Sequence, residues 1–235
     1  MKILKGFTLA EILVTLSILG VIAAMAIPSV IQNYKEKATV VKLKRVYSQL
    51  QQAYDMAFVY YGPVVSWDSQ FCGGERRRTG QCKSSKAEYI YNAKSLVLGK
   101  FLPLSNKKCT QETETNGTTI LDDCYLSAED DRIKFMNGIT DTGWGGYLAY
   151  WSVSRFLLKD GTFIAMEAGT NILVDINGKK GPNQIGRDIF QFRLYDKGIV
   201  PYVSSYDTCT SYGGVTKWVI EKGNMRHLHS GGKCK

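Results

Sequence analysis

The stretch from Phe7 to Ile31 constrains this chain most, because its 25 residues carry a single ionisable side chain, Glu11. At about 1.5 Å per residue, a helix of this length measures roughly 37 Å, and the hydrocarbon layer of a membrane is about 30 Å thick. The stretch is therefore long and apolar enough to span a membrane. A carboxylate in such a segment is costly unless a partner satisfies it, so Glu11 is the first candidate functional residue.

The residues before Glu11 stand in a specific order. A basic leader, Met1 to Lys5, is followed by Gly6, then Phe7, with Glu11 as the fifth residue counted from Phe7. This order resembles the prepilin processing site of type IV pilins and type II secretion pseudopilins. The resemblance implies that prepilin peptidase cuts after Gly6 and methylates the new amino terminus, so that the mature chain begins with N-methylphenylalanine.

Two other interpretations of the same stretch explain less. A secretory signal peptide has an apolar centre of only about 7 to 15 residues followed by a small-residue cleavage site. A generic membrane anchor fits the length but requires neither Gly6 nor Glu11. The processing-site interpretation accounts for both residues.

Glu11 has a physical role in this interpretation. Cleavage before Phe7 creates a cationic amine in an apolar setting, and a carboxylate one helical turn along can neutralise such a charge. The amine belongs either to the same chain or, as the resemblance implies, to a neighbouring subunit, which sets the stagger of subunits in a filament. Gly20 and Pro28 are further assembly candidates. Pro28 predicts a kink near Ala24, and the resemblance implies that the helix between Gly20 and Pro28 loosens in a filament, although both residues are also ordinary in membrane helices.

The helix is predicted to continue past the membrane segment. Apolar residues recur at spacings of three and four, which places them along one face of a helix. They are Val40, Leu43, Tyr47, Leu50, Tyr54, Ala57 and Tyr61. Gly62 and Pro63 end the helix. Further on, Ser85 to Glu88 has the spacing of a capping box and predicts a short helix that ends at Gly99.

The carboxyl-terminal part has the pattern of β-strands. Lys159-Asp160-Gly161 predicts a hairpin turn between two apolar runs. Alternation in residues 171–176 and 190–195 predicts an antiparallel sheet with one buried face. The sequence therefore predicts an α+β, pilin-like fold in which the long helix packs on the sheet. The predicted parts are a leader (1–6), a transmembrane segment (7–31), an amphipathic continuation (32–61) and a globular head (62–235), with the sheet at about 147–203.

Six cysteines form an even set without the clustering of a metal site. In an exported chain an even count indicates disulfides and an oxidising compartment. The suspected pairs, each closing a loop, are Cys72-Cys82, Cys109-Cys124 and Cys209-Cys234.

The charges around the apolar run predict the opposite side of the membrane for the head. The positive-inside rule favours a cytoplasmic head, because five basic residues follow the run and only Lys2 and Lys5 precede it. We give more weight to the cysteines and the processing motif, because large domains are translocated despite their charge. We therefore expect a single-pass protein of the cytoplasmic (inner) membrane with its head on the extracytoplasmic side.

Residues 174–192 resemble a segment near the carboxyl end of many secretion-type pilin-like proteins. Four of them bring oxygens to one glycine-rich loop, which makes Ca²⁺ a candidate cofactor. They are Asp175, Asn177, Asn183 and Asp188. The alternative is that these side chains close turns by bonding their own backbone, and the calcium pattern of major pseudopilins is not visibly matched.

Other functions have weaker support in the sequence. Arg76, Arg77 and Arg78 form a basic run that could contact nucleic acid, but no aromatic residue interleaves them, so nucleic acid is the less favoured partner. The only histidines, His227 and His229, lack a recognisable nucleophile motif, and a surface role is expected for them. We therefore expect no enzyme and no catalytic residue, with a membrane-anchored hydrolase as the weaker alternative.

The sequence as a whole predicts a filament subunit. The function expected is that of a minor or accessory structural subunit of a type II secretion pseudopilus or type IV pilus-like filament, with a DNA-uptake or adhesive pilin as the alternative. Its expected partners are other pilin or pseudopilin subunits, prepilin peptidase, the membrane assembly machinery and the lipid bilayer.

Overall fold

The structure is a computed structural model, and it describes residues 6, 8–67, 81–83, 89–91, 93–105, 112–113, 119–120, 153–167, 170–178, 180–203, 214–231 and 234. The chain divides into two compact units, Met1–Ala38 and Thr39–Lys235. The predicted Cys72-Cys82 and Cys109-Cys124 loops and the arginines at 76–78 lie outside the residues whose side chains are described.

Helix α1 runs from Leu9 to Tyr61, 53 residues, with Pro28 inside it. In the first unit its residues are exposed, apart from the half-buried Ala23 and Glu36. Residues as apolar as Leu9 and Met25 are 78% and 76% exposed. The prediction of one long helix is confirmed. The predicted kink near Ala24 stays a prediction.

The part of α1 in the second unit buries most of the predicted stripe, but Tyr47 and Tyr61 are half-buried, and Val46 and Ala53 are buried without having been predicted. Its buried residues are Val40, Leu43, Val46, Leu50, Ala53, Tyr54 and Ala57. Gly62 follows at a φ of 73°, and its N–H donates to the carbonyl of Phe58 at 2.9 Å. This left-handed geometry, which suits glycine, ends the helix where Gly62 and Pro63 predict.

The head is an α+β unit with a five-stranded antiparallel sheet in the order β5-β6-β7-β8-β9. Its strands are β5 (Val153–Leu157), β6 (Phe163–Glu167), β7 (Asn171–Asp175), β8 (Ile189–Tyr195) and β9 (Gly198–Pro201). Two small hairpins precede it: β1 (Gln81–Lys83) with β2 (Tyr89–Tyr91), and β3 (Glu112–Thr113) with β4 (Thr119–Ile120). Further helices are α2 (Ala93–Gly99), α3 (Val215–Lys222) and a 3-10 helix (Arg226–His229).

The predicted short helix before Gly99 begins later than expected. Residues Tyr89–Tyr91 form a strand that pairs with Gln81–Lys83, and α2 starts only at Ala93. The expectation that Ile90 and Tyr91 are helical is therefore wrong, because pairing with an earlier segment overrides the local capping pattern.

Aromatic stacking between α1 and the sheet defines one sheet face. The ring of Tyr47 stacks on that of Phe192, with centroids 5.5 Å apart. Opposite residues on antiparallel strands share a face, so Ile172, Met166 and Ser154, paired in turn across β7, β6 and β5, lie on the face that α1 covers.

The opposite face of the central strands is buried as well. Gln191, Leu173 and Ala165 are paired across it and are all nearly inaccessible. Helix α3 packs against β8, and the hydroxyl of Thr216 accepts a hydrogen bond from the Gln191 N–H at 3.0 Å. The prediction of a sheet with one buried face is therefore wrong, because the carboxyl-terminal segment packs on strands that alternation alone leaves half-exposed.

Polar side chains of α1 hold both ends of the sheet. Lys42 donates to the carbonyl of Asp160 in the β5–β6 turn at 3.2 Å, and the hydroxyl of Tyr54 donates to the carbonyl of Asp196 in the β8–β9 turn at 2.7 Å. The helix is thus tied to the sheet at both hairpins, in addition to the apolar contacts between them.

On each outer strand of the sheet, outward backbone groups of one residue have partners outside the sheet. On β9, the side-chain amide of Gln51 donates to the carbonyl of Ile199, and its oxygen accepts the Ile199 N–H at 3.3 Å. Pro201, the next outward-facing position, has no N–H to offer. On β5, the Ser105 N–H donates to the carbonyl of Leu157 at 2.7 Å.

Candidate functional site

The start of α1 is closed by a reciprocal pair of hydrogen bonds between Thr8 and Glu11. The Thr8 N–H and hydroxyl donate to Glu11 Oε2 at 2.7 and 2.8 Å. In return, the Glu11 N–H donates to Thr8 Oγ1 at 3.3 Å. This is a capping box, in which each side chain satisfies a backbone N–H that the first helical turn leaves unpaired.

The capping box gives Glu11 a role that the sequence analysis missed. Its sequence signal is the spacing Thr8-Leu9-Ala10-Glu11, which matches the pattern of threonine followed three residues later by glutamate. The box places the carboxylate at the amino-terminal end of the helix. Gly6, the residue expected before the cleavage point, is exposed, whereas Phe7 lies outside the described residues.

The other two assembly candidates lie farther along α1. A Cβ built on Gly20 would meet no atom within 4 Å, so no contact among the described residues requires glycine there. Pro28 lies inside the helix. Apolar side chains such as Leu13, Leu16 and Ile22 are more than half exposed in this part of α1. A surface of this kind needs a lipid or protein environment.

The four calcium candidates lie between the end of β7 and the start of β8, and Asp175 and Asp188 accept hydrogen bonds from backbone N–H groups of this segment. Asp175 Oδ1 accepts the N–H groups of Asn177 and Gly178 at 3.1 and 2.9 Å. Asp188 accepts the N–H groups of Asn183 and Gln184 at 2.9 and 2.6 Å.

Asp188 also accepts a hydrogen bond from the Asn177 amide at 3.2 Å. Burial raises the pKa of Asp188, and the hydrogen bonds from Gln184, Asn183 and Asn177 oppose that shift.

These contacts are those of turn-closing side chains. The side-chain oxygens of Asn177 and Asn183 are buried without a hydrogen-bond partner, and amide oxygens are among the ligands that Ca²⁺ takes. Among the described residues, no group of three or more His, Cys, Asp or Glu side chains is placed to hold a metal ion. Calcium binding at these four residues stays a prediction.

The two histidines occupy different environments. His227 is fully buried, and its Nε2 lies 2.7 Å from the carbonyl oxygen of Gly186, so this nitrogen carries the proton and donates. Its ring meets Trp218 edge-on at 5.4 Å. The expected surface role is therefore wrong for His227, which joins the 3-10 helix to the loop before β8, whereas His229 is exposed.

Of the six cysteines, Cys234 has a described side chain, and it is disulfide-bonded. The other five lie outside the residues whose side chains are described. The three predicted pairings therefore stay predictions.

Comparison with known proteins gives two matches to family models. Residues 1–27 match the model described as a prokaryotic N-terminal methylation motif. With the long apolar helix and the antiparallel sheet, this match makes the chain a type IV pilin-like protein, for which the motif implies processing by prepilin peptidase and assembly with other pilin subunits.

The second match covers most of the chain. Residues 29–217 match the model described as Family of unknown function (DUF6613), and the chain belongs to that family. No curated protein and no solved structure matches the chain.

Proposed function

We propose that the chain is a minor or accessory structural subunit of a type II secretion pseudopilus or a type IV pilus-like filament. The observation that carries this proposal is Glu11, the one ionisable side chain in the apolar stretch from Phe7 to Ile31. It is the fifth residue counted from Phe7 and lies inside the matched methylation motif. A buried carboxylate in such a helix needs a cationic partner.

The proposed processing creates that partner. Prepilin peptidase cleaves after Gly6, which leaves a cationic amine on Phe7 next to Thr8, and then methylates that amine. In the uncleaved chain the Glu11 carboxylate is bonded to Thr8. In the filament it pairs with the amine of a neighbouring subunit, which sets the stagger of the apolar helices.

The proposed location is the cytoplasmic membrane, with the head on the extracytoplasmic side until the subunit enters a filament. The helix of α1 is long and apolar enough to cross a bilayer, and the disulfide at Cys234 supports an oxidising compartment for the head.

The test is replacement of Glu11 by an uncharged residue. Glu11→Gln keeps the shape of the side chain and its capacity to accept from Thr8, but removes the charge that pairs with an amine. We expect membrane levels of the protein to be unchanged and filament incorporation to fall at least tenfold, measured by shearing and immunoblotting of surface filaments.

Glu36→Gln is the matched control, because Glu36 lies on the same helix beyond the apolar run. We expect it to assemble at wild-type levels. Wild-type filament yield from Glu11→Gln would contradict the proposal.

The alternatives have less support in the described residues. A DNA-uptake role rests on Arg76, Arg77 and Arg78, which lie outside them, and reversing those charges is the direct test.

For a hydrolase, His227 is the residue in question. Its contacts with Gly186 and Trp218 support a packing role, so we propose that the chain is not an enzyme. Hydrolytic activity abolished by His227→Ala would reverse that assignment.

A further inference from the structure

Arg193 of β8 lies between two tyrosine rings. It is next to Phe192 in the strand, so it is on the sheet face opposite to the one that α1 covers. The centre of its guanidinium is 5.2 Å from the centroid of the Tyr202 ring and 6.0 Å from that of Tyr195. Its Nε donates to the side-chain oxygen of Asn171, on the neighbouring strand, at 3.1 Å. The guanidinium is thus held in place by two rings and one hydrogen bond.

Most of the hydrogen-bonding capacity of this guanidinium is unused within the part of the chain that the structure describes. Arginine has five N–H donors, and the contact with Asn171 uses the one on Nε. Among the described residues, Arg193 has neither an ion pair nor a second hydrogen bond. A planar fork of this kind matches a carboxylate or phosphate group through two parallel hydrogen bonds.

The surroundings of Arg193 are apolar and accessible. Tyr195, Val200 and Val203 are 48%, 40% and 53% exposed, and Val200 lies directly opposite Arg193 on β9. Tyrosine and arginine are enriched among the residues that dominate protein–protein binding energy. A fixed cation surrounded by exposed apolar side chains is therefore typical of a protein-binding surface.

We propose that this surface, formed by Arg193, Tyr195, Val200, Tyr202 and Val203, is a docking site for a carboxylate-bearing peptide segment of a partner protein. The carboxylate pairs with the free N–H groups of Arg193, and apolar side chains beside it lie on the valines and Tyr195. The site is on the head, so it is separate from the helix-based assembly proposed above.

Charge distinguishes a peptide from nucleic acid as the ligand. Nucleic-acid affinity depends on neutralising several phosphates. This surface offers Arg193 and the exposed Lys197, with the exposed Asp196 beside them in the turn. One fixed cation is sufficient for one carboxylate, but it supplies little of the charge that a phosphate backbone requires.

The test uses the full-length protein in detergent micelles, with arginine side chains labelled by ¹⁵N for NMR. The probe is a short peptide with one glutamate between leucine and phenylalanine, and its control has glutamine in place of the glutamate. We expect the glutamate peptide to shift the Arg193 Nε signal and the glutamine peptide to bind about tenfold more weakly, as the loss of one charge-assisted pair predicts.

Three variants define the site. Arg193→Lys keeps the charge but removes the fork, and we expect about a tenfold loss of affinity. Tyr195→Leu, a change at a half-exposed ring outside the core, should weaken binding by a smaller factor. Arg226→Lys, at an exposed arginine of the 3-10 helix, should leave the affinity unchanged.

Several results would overturn the proposal. These are no shift of Arg193 with the glutamate peptide, equal binding of the two peptides, or equal losses in Arg193→Lys and Arg226→Lys. Preferential binding of single-stranded oligothymidylate, or occupation of the surface by a second copy in sedimentation experiments, would overturn it in favour of that ligand.

Discussion

Two acidic residues in this chain accept hydrogen bonds that hold the local backbone. Glu11 accepts from Thr8 at the start of α1, and Asp188 accepts from three donors in the loop before β8. Both acids were singled out in the sequence for their charge, as an amine partner and as a metal ligand. In the structure, each also satisfies backbone N–H groups that the local geometry leaves unpaired.

Removing the Thr8 hydroxyl should open the first turn of α1. Thr8→Val keeps the branched shape but cannot accept from the Glu11 N–H or donate to its carboxylate. We expect faster amide exchange at Glu11 in micelles, measured by NMR, and near wild-type exchange in Thr8→Ser, which retains the hydroxyl. Equal exchange in the two variants would mean that the capping box does not hold the turn.

Asp188→Asn should destabilise the head by about 1 to 3 kcal/mol, because an amide cannot accept from all three donors and a buried N–H is left unpaired. The effect should depend on pH. Burial raises the pKa of Asp188 above its ordinary value of 3.8, so the folded state binds its proton more readily than the unfolded state. The Asp188 contribution therefore becomes more favourable as the pH falls through the raised pKa toward 3.8.

Urea unfolding at about pH 7 and about pH 4 measures this contribution. The free-energy difference between wild type and Asp188→Asn should be larger at the lower pH. Asp196→Asn, at an exposed acid in the β8–β9 turn, is the control. A difference that shrinks on acidification would contradict the assignment.

At the scale of elements, sequence patterns predicted the helices and turns that depend on residues close together in the chain. The apolar stripe of α1, its end at Gly62 and the Lys159-Asp160-Gly161 turn all depend on residues close in sequence. The helix end and the turn are confirmed, and most of the predicted stripe is buried. The strand at Tyr89–Tyr91 was missed, because it depends on pairing with Gln81–Lys83.

Long-range contacts account for the other omissions. Gln51 and Ile199 are 148 positions apart, and His227 is buried against Gly186, 41 positions away. The spacing of apolar residues along the sequence does not predict contacts between such distant positions. The Thr8–Glu11 box is different, because its spacing is visible in the sequence and could have been recognised.

Gln51→Ala should expose the outer side of β9. Without its amide, the outward N–H and carbonyl of Ile199 lose their partners, and an unpaired strand edge is a template for pairing with another chain. We expect faster amide exchange at Ile199 and concentration-dependent association of the protein in micelles, measured by NMR and light scattering.

Two further variants separate the causes. Gln51→Glu can accept the Ile199 N–H but cannot donate to its carbonyl, so an intermediate effect is expected. Gln52→Ala, at an exposed glutamine bonded to Ser48, should behave as wild type. Association of the Gln52 variant to the same extent would mean that the effect does not come from the strand edge.

At the scale of the whole molecule, the methylation motif and the α+β head agree on a type IV pilin-like protein. The amino-terminal part supplied most of the functional prediction, because its motif combines several residues in fixed order. The sequence of the head predicted its fold class but not a particular function. The contacts that would indicate a function join residues that are distant in the sequence.

Mass spectrometry of the intact protein from cells tests the proposed processing. We expect a chain that begins at Phe7 and carries one added methyl group. On reduction, the mass should rise by two hydrogens for each of the three predicted disulfides. Recovery of the chain with Met1 and both leader lysines, in cells with an active peptidase, would contradict the processing.

The side-chain amide of Gln51 occupies the border of the sheet where a further strand would add. In the proposed filament, the heads of many identical copies lie close together. Unpaired strand edges would let these heads pair with one another and form cross-β aggregates. Because Gln51 occupies the outward backbone groups of Ile199, we expect it to oppose pairing of β9 with a second copy of the head. In the proposed filament, subunits would then associate through the apolar segment of α1 and not through the edge of the sheet.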